Sequence, residues 1–229
     1  MKPIDKNEQD AEKLAAARAA VAFVKDGDFV GLGTGSTATF AIKEIGERVK
    51  AGLKIKAVAS SLKTAELAQS YGIEILDLGH VSSLDISIDG ADEFTEDLNL
   101  IKGGGGALFR EKIIASLSKN AIVITDTSKK VKQLGAFTVP VEVIPLAYQY
   151  VFDQIALLGG KGKLRETNGK AFITDNGNYI IDADFGLIAA PAVLAQSLNQ
   201  IDGLLAHGLF IGLTSKVMMS QGNHIIIFD

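Results

Sequence analysis

Helix-period and strand-period segments alternate along the first 125 residues. The alanine-rich run DAEKLAAARAAVAFV (10–24) predicts a helix, DFVGLG (28–33) a short buried strand, and STATFAIKEIGERVKAG (36–52) a helix ending near Gly52. KIKAVAS (54–60) reads as a strand, LKTAELAQSYG as a helix, and IEILDL and LDISIDG as further strands. ALFREKIIASLSK and NAIVITDTS then repeat the helix–strand order. This alternation predicts an α/β fold, with a Rossmann-like, mainly parallel sheet and helices on both faces.

From about residue 136 the pattern changes. FTVPVEVIP is a proline-bounded strand, LAYQYVFDQIALLG a helix, and AFITDNGNYIIDADF carries two β-rich arms around Asn176-Gly177, a hairpin signal. IAAPAVLAQSLNQI is helical again. A β-α-β-β-α order predicts a smaller α+β domain with an antiparallel sheet over 136–207. The catalytic α/β domain is then expected over 1–135 and 208–229, with two or three short strands of GLFIGLTSKVMMSQGNHIIIFD returning to it.

Composition narrows the class. Of 229 residues 47% are hydrophobic and none is cysteine, which excludes a disulfide framework, thiolate metal sites and cysteine nucleophiles. The N-terminal MKPIDKNEQDAEK lacks the apolar core of a signal peptide. The longest apolar-plus-glycine run, FGLIAAPAVLA (185–195), falls far short of the roughly 20 residues of a membrane helix. A cytoplasmic protein is expected. A net charge of −4 argues against a general nucleic-acid binder but not against a small anionic ligand.

Two glycine loops carry the candidate chemistry. In GLGTGSTA (31–38), Gly33, Gly35 and Ala38 satisfy a loose dinucleotide pattern, but the next strand runs into Ala59, Ser60 and Ser61 with no acid for a ribose. Thr34, Ser36 and Thr37 instead add three hydroxyls at a helix N-terminus, a set that suits a single phosphate. An ordinary βα turn capped by Ser36 or Thr37 is the alternative.

The second loop, DGADEFTEDLNLIKGGGGALFREK (89–112), places Asp89 and Asp92 at the carboxyl end of a predicted parallel strand. Lys102 precedes four glycines, 103 to 106, whose backbone N–H groups can approach a ligand closely. Glu111 follows on the predicted helix, read as leaving it away from the core face formed by Phe109, Ile113 and Leu117. Taken alone, each acid has a bland reading: a turn, a cap, or a solvated partner of Arg110 or Lys112. Together, a carboxylate base, a cation and backbone donors meet the needs of proton transfer beside a carbonyl. That chemistry requires no metal and no redox cofactor.

The segments GLGTGST, DGADE, KGGGGALFREK, DTSKKVKQLG with its following PVEV, and FITDNGNYIID occur in the order found in type A ribose-5-phosphate isomerase, which the chain resembles over essentially its whole length. The resemblance implies cofactor-free interconversion of D-ribose 5-phosphate and D-ribulose 5-phosphate through an enediolate. It implies a substrate loop at Thr34, Gly35, Ser36 and Thr37, a second at Asp89, Gly90, Ala91 and Asp92, and a third at Lys102, Gly103, Gly104 and Gly105. Glu111 matches the proton acceptor, with Asp89, Asp92 and Lys102 as further catalytic groups. Lys129 and Lys13 match substrate-binding lysines. A homodimer or a dimer of dimers is implied as well.

Rival phosphosugar chemistries such as aminosugar-phosphate deamination or lactone hydrolysis lean on a catalytic histidine. His80, His207 and His224 all lie outside the candidate segments. A phosphosugar-sensing regulator would not need the Lys102–Glu111 pair. A dehydrogenase is disfavoured by the missing acid.

Overall fold

The computed structural model describes residues 6–222 and 224–229; residues 1–5 of the charged N-terminal stretch and Asn223 of the tail lie outside the described residues. The chain starts with α1 (Lys6–Val21), whose buried Ala16, Ala17 and Ala20 allow close packing on its neighbours. There follow β1 (Phe29–Leu32), α2 (Ser36–Lys50), β2 (Lys56–Ala59), α3 (Leu62–Ser70), β3 (Glu74–Ile75) and β4 (Leu84–Asp89). Two short strands, β5 (Glu93–Phe94) and β6 (Leu100–Ile101), precede α4 (Leu108–Leu117) and β7 (Ser118–Asp126).

The second half comprises β8 (Val139–Val143), α5 (Tyr148–Leu157), β9 (Lys161–Leu164), the small pair β10 (Glu166–Thr167) and β11 (Lys170–Ala171), β12 (Tyr179–Asp184), α6 (Pro191–Leu198) and β13 (Leu204–His207). It closes with β14 (Leu209–Phe210), β15 (Lys216–Gln221) and β16 (His224–Phe228).

The main sheet has the order β16-β15-β7-β4-β1-β2-β3, and only the β15–β16 pairing is antiparallel. Its central strands are apolar on both faces because helices cover both, as a parallel sheet requires. Val30, Leu32, Ile86, Ile88, Ile122 and Ile124 form one core with α1 and α2, while Val58, Leu84 and Ile114 form another under α4. The chain leaves β1 toward β2 on one side, and β4 pairs on the other. The crevice at this reversal lies beyond the carboxyl ends of β1 and β4, where open α/β sheets bind ligands.

A four-stranded antiparallel sheet, β13-β8-β12-β9, packs Val141, Val143 and Ile181 with Val151 and Ile155 of α5 and Leu198 of α6. A three-stranded sheet, β14-β6-β5, is made of two strands inserted between β4 and β7 and one that links β13 to β15.

The expected hairpin around Asn176-Gly177 is a correction. β12 pairs with β8 and β9, not with the preceding arm, and only a tight turn survives, closed by Thr174 N–H donating to Asn178 O at 2.9 Å. The cause is Glu142, fully buried on β8. Its Oε1 accepts from Thr174 Oγ1 (2.9 Å), Asn176 Nδ2 (3.1 Å) and Asn178 Nδ2 (2.9 Å), folding the turn over the strand. The true partner is β9, whose sequence KGKL has no β-branched or aromatic residue to signal a strand. IEILDL likewise keeps only two strand residues, at the sheet edge.

Glu93, buried at the start of β5, accepts from Gly135 N (2.8 Å) and Phe137 N (2.6 Å), which holds the segment leading into β8. Replacing Glu93 by Ala leaves both donors without their acceptor. Urea denaturation should show a loss of about 2–6 kcal/mol, at about 1–3 kcal/mol for each donor left without an acceptor.

Candidate active site

The crevice is built by two strand ends. β1 runs out into Gly33–Thr37, and α2 begins at Ser36 with Gly35 as its N-cap at φ 108, a conformation that glycine adopts without strain. No side chain among the described residues caps this helix, so the capped-turn alternative is not what the loop forms. Gly35, Ser36 and Thr37, at the unsatisfied N-terminal turn, line the pocket instead.

Thr34 differs from the three-hydroxyl expectation. Its Oγ1 is bonded to Ser60 Oγ (2.6 Å), Ser61 Oγ (3.0 Å) and Thr64 Oγ1 (3.1 Å), so its hydroxyl ties the loop to α3 rather than serving as a free donor.

Asp89 at the end of β4 lies against β1. A Cβ on Gly33 would come within 1.9 Å of Asp89 Oδ1, so that glycine is needed for the approach. Asp89 Oδ1 accepts from Thr34 N (3.1 Å) and Gly90 N (2.7 Å), and Oδ2 lies 2.9 Å from Lys102 Nζ.

Lys102 follows β6, where its N–H donates to Gly208 O at 2.9 Å. Its ammonium is buried, donates to Gly90 O, sits 5.4 Å from the centre of the Phe210 ring and lies 3.5 Å from Glu111 Oε2. Burial alone would make this amine less basic. Asp89 first, and Glu111 next, outweigh burial and raise its pKa above the ordinary lysine value.

Glu111 is the correction on α4. The helix starts at Leu108, which puts Glu111 in its first turn, and the buried face carries Leu108, Glu111 and Ile114. Phe109 and Ile113 are only partly buried and line a separate groove. The carboxylate therefore sits on the core face. Its helix position favours the anion, but burial pushes its pKa well above the ordinary glutamate value, and Lys102 only partly offsets this. Beyond Lys102, no polar group among the described residues bonds Oε2. The bland pairings are absent: Lys112 donates to Leu209 O (2.9 Å) and Arg110 to Asn176 Oδ1 (2.9 Å).

The glycine loop closes the floor. Gly104 N donates to Asp92 Oδ2 (2.8 Å) and Gly106 N to Gly103 O (3.0 Å). A Cβ would lie 2.6 Å from Asp92 Oδ1 at Gly104 and 2.5 Å from the Phe172 ring at Gly106, so bulk is excluded there by contact.

One cavity of about 170 Å³ is lined by Lys13, Thr34, Gly35, Ser36, Thr37, Gly90, Ala91, Asp92, Lys102, Gly103, Gly104, Gly105, Glu111 and Lys129. Asp89 stands behind Lys102 and lines a smaller void with Glu111. Gln9, Asp126 and Ser128 also line the main cavity and were not anticipated. Asp126 ends β7, the next parallel strand, and accepts from Ser128 N at 2.9 Å; its place at a strand's carboxyl end was the available signal. Among the described residues no cluster of three or more His, Cys, Asp or Glu is placed to hold a metal ion.

One cavity thus brings together a helix N-terminus, a buried carboxylate, a buried lysine and a glycine loop at the carboxyl edge of a parallel sheet, the arrangement of an α/β enzyme. Residues 56–224 match the family model described as ribose 5-phosphate isomerase A (phosphoriboisomerase A). Ribose-5-phosphate isomerase A of Sphingopyxis alaskensis is 46% identical over 94% of each chain, and ribose-5-phosphate isomerase A 1 of Oceanobacillus iheyensis is 45% identical over 96% of this chain and 99% of its own. The solved ribose 5-phosphate isomerase A of Methanocaldococcus jannaschii superposes with a TM-score of 0.90 at 39% identity, covering 95% of this chain and 97% of its own. A D-ribose-5-phosphate isomerase solved in complex with phospho-erythronic acid gives 0.92 at 37% identity, covering 96% and 99%. The chain belongs to the ribose 5-phosphate isomerase A family.

Gly33→Ala tests the Gly33–Asp89 approach. The new methyl must displace the Asp89 carboxylate and with it Lys102. kcat should fall about 100-fold, the scale expected of a misplacement near 1 Å, while circular dichroism shows a folded protein.

Proposed function

We infer that the chain catalyses the reversible interconversion of D-ribose 5-phosphate and D-ribulose 5-phosphate by proton transfer through an enediolate. This aldose–ketose isomerisation belongs to the non-oxidative pentose phosphate pathway. The observation that carries the residue roles is the buried Glu111 carboxylate, 3.5 Å from Lys102 and opening on the cavity.

In this reading the N-terminus of α2, with Ser36, Thr37, Lys13 and Lys129, grips the phosphate. That remote binding energy sets the reacting carbons beside Glu111. Asp89, assisted by Asp92, moves protons between sugar oxygens as the furanose opens. Glu111 takes the proton from C2 of the aldose and delivers one to C1. Lys102 and the glycine-loop N–H groups hold the oxygens that become negative. The phospho-erythronic acid bound by the solved relative supports the same picture, because its carboxylate presents two planar oxygens as an enediolate does.

The finer organisation is part of this proposal. Residues 136–207 form a small α+β domain beside a catalytic domain of 1–135 and 208–229, supported by the separate antiparallel sheet. The protein works in the cytoplasm; no helix among the described residues is long and apolar enough to cross a membrane. It pairs as a homodimer or dimer of dimers, with Leu146 and Leu157, 97% and 79% exposed at the two ends of the segment that runs from Pro145 through α5, as candidate apolar contacts.

Two experiments test the residue roles. Glu111→Gln should lower kcat by about 1,000-fold or more, within the range general bases contribute, with KM for ribose 5-phosphate little changed; a near-normal kcat would remove Glu111 as the base. Asp89→Asn removes a negative neighbour that raises the Glu111 pKa. The base must be ionised to act, so the acid limb of the log(kcat/KM) profile should move to lower pH even as the maximal rate falls. An acid limb that stays in place or moves upward would contradict the assignment.

A further inference from the structure

Arg165 is a residue the mechanism above does not use, yet it reaches the glycine loop from the other sheet. It stands just after β9, and its side chain is only 14% exposed. Its Nη1 donates to Gly103 O (3.0 Å) and Gly104 O (3.2 Å), while Nε donates to Asp182 Oδ2 (2.9 Å) and Nη2 pairs with Asp182 Oδ1. The Phe172 ring, which excludes a side chain at Gly106, lies 6.0 Å from the guanidinium.

Peptide planarity turns this grip into an orientation of donors. In a trans peptide the C=O and the following N–H point in opposite directions. With Gly103 O turned back onto Arg165, the Gly104 N–H points forward, and it does so onto Asp92 Oδ2 at 2.8 Å. With Gly104 O held by the same nitrogen, the Gly105 N–H must also face forward. Among the described residues it meets no acceptor, and Gly105 lines the cavity. A four-glycine segment has little preference of its own between the two peptide orientations. A rigid two-point bond to Asp182 fixes the guanidinium plane and so the choice.

We propose that Arg165, held by Asp182, is a positioning residue that keeps the Gly104 N–H on Asp92 and leaves the Gly105 N–H turned toward the cavity where the oxyanion develops. This rests on the reading of the glycine loop as the enediolate cradle. It makes the antiparallel sheet part of the catalytic apparatus, since Asp182 lies on β12 and Arg165 directly follows β9.

The test compares Arg165→Ala, Arg165→Lys, Asp182→Asn and Lys102→Met in the full chain, reading kcat, KM, and inhibition by phospho-erythronic acid and by inorganic phosphate. Arg165→Ala should lower kcat about 10- to 100-fold, a loss of the size expected from misplaced groups, and weaken phospho-erythronic acid at least about tenfold. Inorganic phosphate inhibition should stay within about twofold of the parent, because phosphate reports the α2 end of the cavity. Arg165→Lys should recover part of both losses, and Asp182→Asn should repeat them in milder form. Asp182→Asn keeps the side-chain shape and decides the matter if Arg165→Ala fails to fold.

Unchanged kcat and phospho-erythronic acid inhibition in the Arg165 and Asp182 variants, with both lost in Lys102→Met, would overturn the positioning role while leaving the cradle standing. If Lys102→Met also kept its inhibition, the cradle itself would fall. Equal loss of phosphate and phospho-erythronic acid inhibition in a folded Arg165 variant would mean general damage to the pocket and would likewise overturn the proposal.

Discussion

The site depends on one buried ammonium. Lys102 lies between Asp89 at 2.9 Å and Glu111 at 3.5 Å. Without it, two carboxylates would share a poorly hydrated space, and neither the fold nor the base would tolerate that at neutral pH. With it, Glu111 is left with one long contact and a raised pKa: anionic enough to act, basic enough to accept a proton from carbon. This placement costs stability. A carboxyl whose folded pKa is raised holds its proton to higher pH than the unfolded chain does. Its contribution is favourable in acid and is lost as pH rises through the folded value.

Every element near the cavity can be read as serving that ammonium. Gly33 lets Asp89 close on it, and the Gly208 carbonyl fixes the backbone that carries it. Phe210 supplies an aromatic face 5.4 Å from it. The parallel sheet contributes the helix N-terminus and the aspartates, while the segment from β9 to β12 contributes Arg165 and Phe172, which hold the glycine loop from behind. The site thus joins a local device, a strand end meeting a helix end, to long-range contacts that no single segment contains.

That division explains what was legible in the sequence. The alternation of periods is local, so the main parallel sheet and most helices could be read directly. Motifs whose chemistry is continuous in sequence, such as the serine–threonine loop and Lys102 with its glycines, could be read as well. Features set by partners distant in sequence could not. Glu142 turns an expected hairpin into a capped turn through three side chains that lie at least 32 positions away. The hydroxyl of Thr34 is taken by Ser60, Ser61 and Thr64 on the next βα unit. Apolar spacing makes Phe109 and Ile113 the core of α4 and leaves Glu111 off it, whereas the folded helix buries Leu108, Glu111 and Ile114 together, with the carboxylate beside Lys102. Arg165 had no sequence signal at all, since its meaning lies in carbonyls 61 and 62 positions away.

The most direct test of the Lys102–Glu111 arrangement is a carboxyl-carbon NMR titration of the protein labelled at its glutamate side chains. The account predicts one glutamate signal titrating well above the ordinary carboxylate range, absent from the Glu111→Gln protein. If every glutamate titrated in the ordinary range, the raised base at the centre of this account would not exist.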